Sequence, residues 1–271
     1  MPFNKLKYQF PAMALMIIML ATSACQKVIN INVANAPTQL VIEGNVTNQP
    51  GPQYVKISRT VPFSSTNIFP AVSGATVTVT DNKGNVFKFT ESATTPGTYA
   101  SSKFTGRTNV VYTLTVQTNG TTYTGSSTMP GPVNFDPLTY GSDIFNNQDS
   151  KLVTVHFQDP PNISNQYLFV MYVNSVQVKT IFDAADTFTD GGYVDLDLEQ
   201  DDINIKHGDT VAVDMECIDK NVYTYWFSLS QQQNNEAGGG TTPSNPPSNL
   251  NNNALGYFSA HTIQRQTVII N

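Results

Sequence analysis

The sequence predicts an all-β protein made of two immunoglobulin-like β-sandwich domains in tandem, with one amphipathic helix in the second. Three observations lead there. Short runs of Val, Ile, Thr, Tyr and Phe alternate apolar and polar residues with a period of two, as in Thr76-Val77-Thr78-Val79-Thr80. Turn chemistry separates the runs, most clearly at Asn119-Gly120, where both residues tolerate positive φ. Only 13% of the 271 residues are charged, and the abundant Thr, Asn, Ser and Val suit strands joined by polar turns.

The amino end stands apart from this pattern. Lys5 and Lys7 precede an apolar run from Ala12 to Ala21, and Thr22-Ser23-Ala24-Cys25 follows. A permanent membrane helix takes ~20 apolar residues, and this run is too short. Residues 1–24 read as a lipoprotein signal peptide that ends in small residues before the cut. Cys25 is then the first residue of the mature chain, and its acylated thiol (diacylglycerol, palmitate-type chains) anchors the protein to a membrane. Thr22-Ser23-Ala24 also fits ordinary secretion, which leaves a soluble protein and an incidental Cys25. Residues 25–36 read as a tether that lets a folded body clear the membrane surface.

Residues 37–130 form the first sandwich, with candidate strands at 39–45, 54–60, 76–80, 86–90, 97–100, 111–117 and 121–126. Met129-Pro130-Gly131-Pro132 cannot continue a ladder and marks the domain boundary. The second domain, 131–271, opens with a polar loop at 139–150. Strands follow at 151–158, 166–173, 177–182, 193–198 and 210–218. Tyr167 to Val173 is apolar throughout, which suits a central strand covered on both faces. After Asp219, a candidate N-cap, Val222, Tyr225, Trp226 and Leu229 fall at i, i+3, i+4 and i+7, placing a helix near 220–233. Residues 234–253 read as a flexible Gly/Pro/Ser/Asn loop, and strand-like 255–260 and 266–270 close the chain.

Charge narrows the partners. The formal net charge is −6, and it becomes about −8 once Lys5 and Lys7 leave with the signal. With no basic patch to displace counterions, nucleic acid is excluded as a partner. There are two cysteines, Cys25 and Cys217. Lipidation of Cys25 leaves Cys217 alone; a Cys25–Cys217 disulfide is the alternative. Cys217 shares a strand face with Val211, Val213 and Met215 and reads as a small buried hydrophobe.

Candidate chemistry is sparse. Twelve of the 20 acids fall between Asp183 and Glu216–Asp219, with Lys206 the only base among them. Oxygen-rich clusters suit calcium, and Asp195, Asp197, Glu199 and Asp201 are the candidate ligands. The competing reading is a solvated strand face, because Asp195-Leu196-Asp197-Leu198-Glu199 alternates. An EF-hand loop from Asp195 would want Gly at 200 and Glu at 206, where the chain has Gln200 and Lys206. His156, His207 and His261 are too far apart for a zinc motif; His156 reads as exposed and His207 as a turn residue. Neither a Gly-x-Ser-x-Gly elbow nor a phosphate-cradling loop is present. No cofactor and no enzyme activity are expected. Trp226 suits a sugar-stacking residue or, on its stripe with Leu229, a core residue.

Several pieces in order carry a resemblance. After the lipoprotein signal come Leu40-Val41-Ile42-Glu43-Gly44-Asn45-Val46-Thr47, Ser58-Arg59-Thr60, Gly74-Ala75-Thr76-Val77-Thr78-Val79-Thr80-Asp81 and Gly97-Thr98-Tyr99. Gly208-Asp209-Thr210-Val211, Tyr223-Thr224-Tyr225-Trp226, Asn245-Pro246-Pro247-Ser248-Asn249 and Gly256-Tyr257-Phe258 follow. The chain resembles the domain of unknown function 4249 family of Bacteroidota envelope lipoproteins. The resemblance implies an outer-membrane lipoprotein with an amino-terminal immunoglobulin-like sandwich, often encoded beside TonB-dependent receptors, and supplies no catalytic residues. Acids that often follow the lipidated cysteine of surface-exported lipoproteins are missing from Gln26-Lys27-Val28-Ile29, so the cell surface and the periplasmic face both stay open. The expected function is a non-catalytic binding or accessory module, with a TonB-dependent outer-membrane receptor as partner. A structural or adhesive envelope protein, using the loops at 139–150 and 234–253, is the alternative.

Overall fold

A twelve-stranded sheet and a three-stranded sheet account for nearly all the regular structure, with a single helix of 14 residues among the described residues. This computed structural model describes residues 37–62, 65–142, 150–233 and 244–271. The signal, Cys25 and the tether lie outside the described residues.

The strands in chain order are β1 Leu40–Thr47, β2 Tyr54–Arg59, β3 Thr76–Asp81, β4 Val86–Glu91, β5 Thr98–Ser101, β6 Val111–Thr118, β7 Thr121–Thr128 and β8 Thr139–Ser142. There follow β9 Lys151–Gln158, β10 Gln166–Val173, β11 Val176–Gln177, β12 Phe182–Ala185, β13 Tyr193–Asp197, β14 Thr210–Ile218, helix α1 Lys220–Gln233 and β15 Leu255–Ile269. The large sheet runs β11-β10-β14-β15-β1-β2-β5-β4-β3-β6-β7, with β12 also paired to β10; the small one runs β13-β9-β8. This is an all-β sandwich architecture.

Period-two alternation builds two cores. Leu40, Ile42 and Val46 of β1 point the same way and meet Val55, Val77, Leu114 and Phe258 in the first. Val153, Val155 and Phe157 of β9 face Tyr167, Phe169 and Met171 of β10 and Val211, Val213 and Met215 of β14 in the second. Buried Leu, Ile, Val and Phe side chains contribute about 1.5–3 kcal/mol each, so these clusters dominate the stability. The first core draws on residues up to Met129 and again on Leu250, Ala254, Phe258 and Ala260 near the end of the chain, while the second begins at Val133, beyond the Pro-Gly-Pro break. Both belong to one compact unit, Pro37–Asn271.

β15 is what joins them. The sequence reads two short strands here, but the chain runs unbroken from Leu255 to Ile269. Its first half pairs in parallel with β1, and its second half pairs antiparallel with β14. The mostly polar run between, Thr262 to Gln266, keeps the ladder because β14 supplies its partners. Gly256, at φ +90°, lets β15 approach β1: a Cβ there would sit 2.1 Å from the Ile42 carbonyl oxygen.

Other segments also differ from the sequence reading. The strand expected at 177–182 splits into β11 and β12. Between them Asp202 accepts the Lys179 and Thr180 amides at 2.7 and 2.9 Å, and the Gln233 side-chain oxygen accepts the Ile181 amide at 3.0 Å. The loop expected at 139–150 begins with β8, paired to β9; residues 143–149 lie outside the described residues, as do 234–243. The described remainder of the second expected loop is pinned. Asn249 bridges the Ser126 carbonyl and the Phe258 backbone, and Asn251 bonds the Thr124 amide at 2.8 Å.

Candidate functional site

The face of β10, β14, β15 and β1 opposite the two cores carries Leu168, Glu216, Tyr257, Ser259, His261, Asn45 and Thr47. Helix α1 lies over one side of it. Asp219 caps the helix: its Oδ1 accepts the Asn221 and Val222 amides at 2.9 and 3.2 Å. Its Oδ2 accepts the Ser127 hydroxyl and the Thr128 amide, tying the helix start to β7. Val222 packs with Leu168 and Ile218, and Tyr223 and Trp226 join that cluster. The helix covers only part of the exposed sheet face. A cavity of about 620 Å³ remains between α1, the 177–181 segment and the four strands.

Trp226 and Leu229 line the helix side of this cavity. Trp226 is half-buried, so it is a wall residue of the cavity as well as a packing one. Its ring lies 5.2 Å from that of Tyr257 on β15 and 5.4 Å, edge-on, from Tyr225. Tyr225, Trp226 and Tyr257 pack against one another as one aromatic cluster, of which Trp226 and Tyr257 line the cavity.

The sheet floor is polar. Glu216 Oε2 is 3.6 Å from His261 Nε2, and His261 Nδ1 is 2.8 Å from the Ser259 hydroxyl. Only 16% of the Glu216 side chain and 4% of the His261 side chain are exposed. Burial, with Asp214 adding repulsion, pushes the Glu216 carboxyl up to about 8. Burial pushes the His261 imidazole down to about 4, against the pull of Asp214. Both groups are therefore uncharged at neutral pH. Burial also raises the Tyr257 hydroxyl, with the Asn45 side chain opposing and Glu216 and Glu43 reinforcing. Next along β14, Asp214 binds Arg265 through Nε at 2.6 Å, and Arg265 sits 5.2 Å over the Tyr172 ring.

Ser259, His261 and Glu216 have the composition of a nucleophile, base and orienting acid, but the arrangement does not suit that chemistry. Ser259 is 2% exposed, and a protonated Glu216 cannot stabilise an imidazolium. They form a neutral hydrogen-bonding wall.

The acids singled out in the sequence are not gathered into one ligand set. Asp195 Oδ1 is 2.5 Å from His156 Nδ1, and Asp197 Oδ1 accepts the Thr154 hydroxyl at 2.6 Å. Glu199 and Asp201 follow on an exposed loop. His156, expected in solvent, is instead held between Asp195 and Thr139, whose hydroxyl lies 2.6 Å from Nε2. Among the described residues, the one group of three or more whose ligand atoms converge within 4.8 Å is Asp159, Asp186 and Asp190. Asp159 escaped the sequence reading because it lies before β10, outside the acidic tract. Cys217 is buried at 3% exposure, and burial pushes its thiol up.

A family model described as Domain of unknown function (DUF4249) matches residues 26–267, nearly the whole chain. The chain belongs to the DUF4249 family. Among curated proteins no match emerges. The family description of this DUF4249 chain names no ligand or reaction. In the sequence Glu216 was one acid on a strand and His261 one of three dispersed histidines, because the cavity requires the β14–β15 and β1–β15 pairings, which link positions far apart in sequence.

Proposed function

We propose that the protein is a lipid-anchored, non-catalytic binding module whose ligand site is the cavity under α1, and that the ligand is a neutral hydroxylated ring such as a saccharide unit. The observation that carries this reading is the pairing of an aromatic wall, Trp226 and Tyr257, with a buried carboxyl and imidazole that are both uncharged at pH 7. A neutral polyol exchanges hydrogen bonds with such a floor without stripping water from a charge, and its C–H faces pack on the rings. A volume of about 620 Å³ falls in the usual range for small-molecule sites. A charged ligand would find no counter-charge on the floor; Lys179 stands exposed at the rim.

The Cys25 anchor and the tether to residue 36 would hold this site beside a membrane. In this reading the ligand is passed to an outer-membrane partner, a TonB-dependent receptor being the first to test by affinity pull-down from detergent extract. The ligand claim is tested by probing a glycan array with the full chain, together with Trp226→Ala and Tyr257→Ala. Binding that both variants lose supports the site, and binding that neither changes would move the ligand elsewhere.

A further inference from the structure

We propose that a second groove beside α1 takes an extended, Lys/Arg-rich segment of a partner protein as a strand added to β12. The cavity described above uses Trp226, Leu229 and Gln233 of the helix, whereas Tyr223, Phe227 and Ser230 line this groove, a space of about 680 Å³. All four residues of β12 line it, and so do Leu196, Asp197 and Glu199, from β13 and the loop after it.

The outer edge of β12 is open. β12 pairs with β10 alone. The Asp186 amide donates to the Asn165 carbonyl at 3.2 Å, one step beyond the Gln166–Ala185 pair, and this fixes the alternation of the antiparallel ladder. Phe182 and Ala184 exchange backbone bonds with β10, while the amides and carbonyls of Ile181, Asp183 and Ala185 point away from it. The Gln233 side chain accepts the Ile181 amide at 3.0 Å. Among the described residues nothing accepts the amides of Asp183 and Ala185. An extended chain laid along β12 would continue the ladder through these groups. Its side chains would alternate between two walls, because Asp183 lies opposite Leu168 on the α1 side while Phe182 and Ala184 face the second core.

Charge selects the occupant. Asp183, Asp197 and Glu199 line the groove, and no Lys, Arg or His does. Burial pushes the Asp183 carboxyl up, against the hydrogen bonds of Ser230 and Tyr223, as befits an acid with no cation beside it. Aromatic rings stand next to these acids. Phe188 is 97% exposed and Phe227 42%, and the Phe227 ring stacks on Tyr223 with centroids 5.7 Å apart. A Lys or Arg side chain lays its stem on such rings while its charge meets a carboxylate. A second copy of this chain would bring its own acids against the groove, and like charges disfavour that occupant.

The test titrates the full chain, in detergent, into a fluorescein-labelled peptide of alternating Lys and Val and reads the anisotropy. Saturable binding is expected, and the counterpart of alternating Glu and Val should bind at least about tenfold more weakly. Asp183→Asn and Glu199→Lys, made together, should weaken binding of the basic peptide at least about tenfold, while Glu43→Lys on β1 leaves it within about twofold. Hydrogen exchange supplies the readout that plain charge attraction would not move: the basic peptide should slow exchange at the Asp183 and Ala185 amides. No saturable binding up to about 1 mM peptide, equal binding by the paired variant, or binding that leaves those two amides unprotected overturns the proposal. Protection of the same amides by self-association of the chain alone also overturns it, placing a second copy on the edge.

Discussion

Glu216 of β14 and His261 of β15 face each other at 3.6 Å across the cavity floor, each held neutral by burial. Their pH dependences oppose. Glu216 rises from 4.5 to about 8, so the folded chain keeps a proton that the unfolded chain releases, and this stabilisation is lost as pH rises through 8. His261 falls from 6.5 to about 4, so its contribution is present above 6.5 and lost as pH falls through 4. The two slopes cancel between about 4.5 and 6.5, and above that only Glu216 acts. Stability measured by urea unfolding should therefore decline by about 1–2 kcal/mol from pH 6.5 to 8. Glu216→Gln should flatten that decline. The neighbouring Tyr257 hydroxyl, raised by burial, stays protonated across this interval. A wild-type curve parallel to that of Glu216→Gln would contradict the neutral pair.

Gly256 is the position where β15 meets β1. At φ +90°, with the Ile42 carbonyl 2.1 Å from any added Cβ, Gly256→Ala should cost about 2–4 kcal/mol in denaturant unfolding. Gly131→Ala, which has open space around it, should stay within about 0.5 kcal/mol of wild type. Equal effects at the two positions would refute the close-approach account.

Asp219 serves two elements at once, capping α1 and holding Ser127 and Thr128 of β7. Asp219→Ala should cost about 1.5–3 kcal/mol and raise amide hydrogen exchange in the first turn of α1. An effect confined to β7, with helix protection unchanged, would show that the cap does not contribute.

Most strands were legible because alternation and turn chemistry are local signals. Asn119-Gly120 has φ of +49° and +75°, and joins β6 to β7 as its sequence indicates. The helix followed from its stripe and from Asp219. What the sequence did not display was long-range. β15 reads as two strands until β1 and β14 are known to flank it, and 179–181 leaves the ladder because Asp202 and Gln233 capture its amides. The candidate site fared similarly. Trp226 was visible as a stripe residue, yet its place in a cavity wall depends on Tyr257, which comes after a long polar loop. The acids drew attention for their number, whereas convergence at Asp159 depends on the β10–β12 pairing.

Membrane attachment has its own test. Cys25→Ser should release the protein into the soluble fraction, and mass spectrometry of wild type should find the mature first residue acylated. An unmodified Cys25, or a membrane-bound Cys25→Ser protein, would remove the anchor from the account.

The most direct measurement of the central claim is the fluorescence of Trp226, the only tryptophan in the chain, as the full-length protein is titrated with the neutral oligosaccharides that a glycan array selects. A saturable change is expected, and Tyr257→Ala should abolish it. A signal that stays flat while those glycans bind would contradict it.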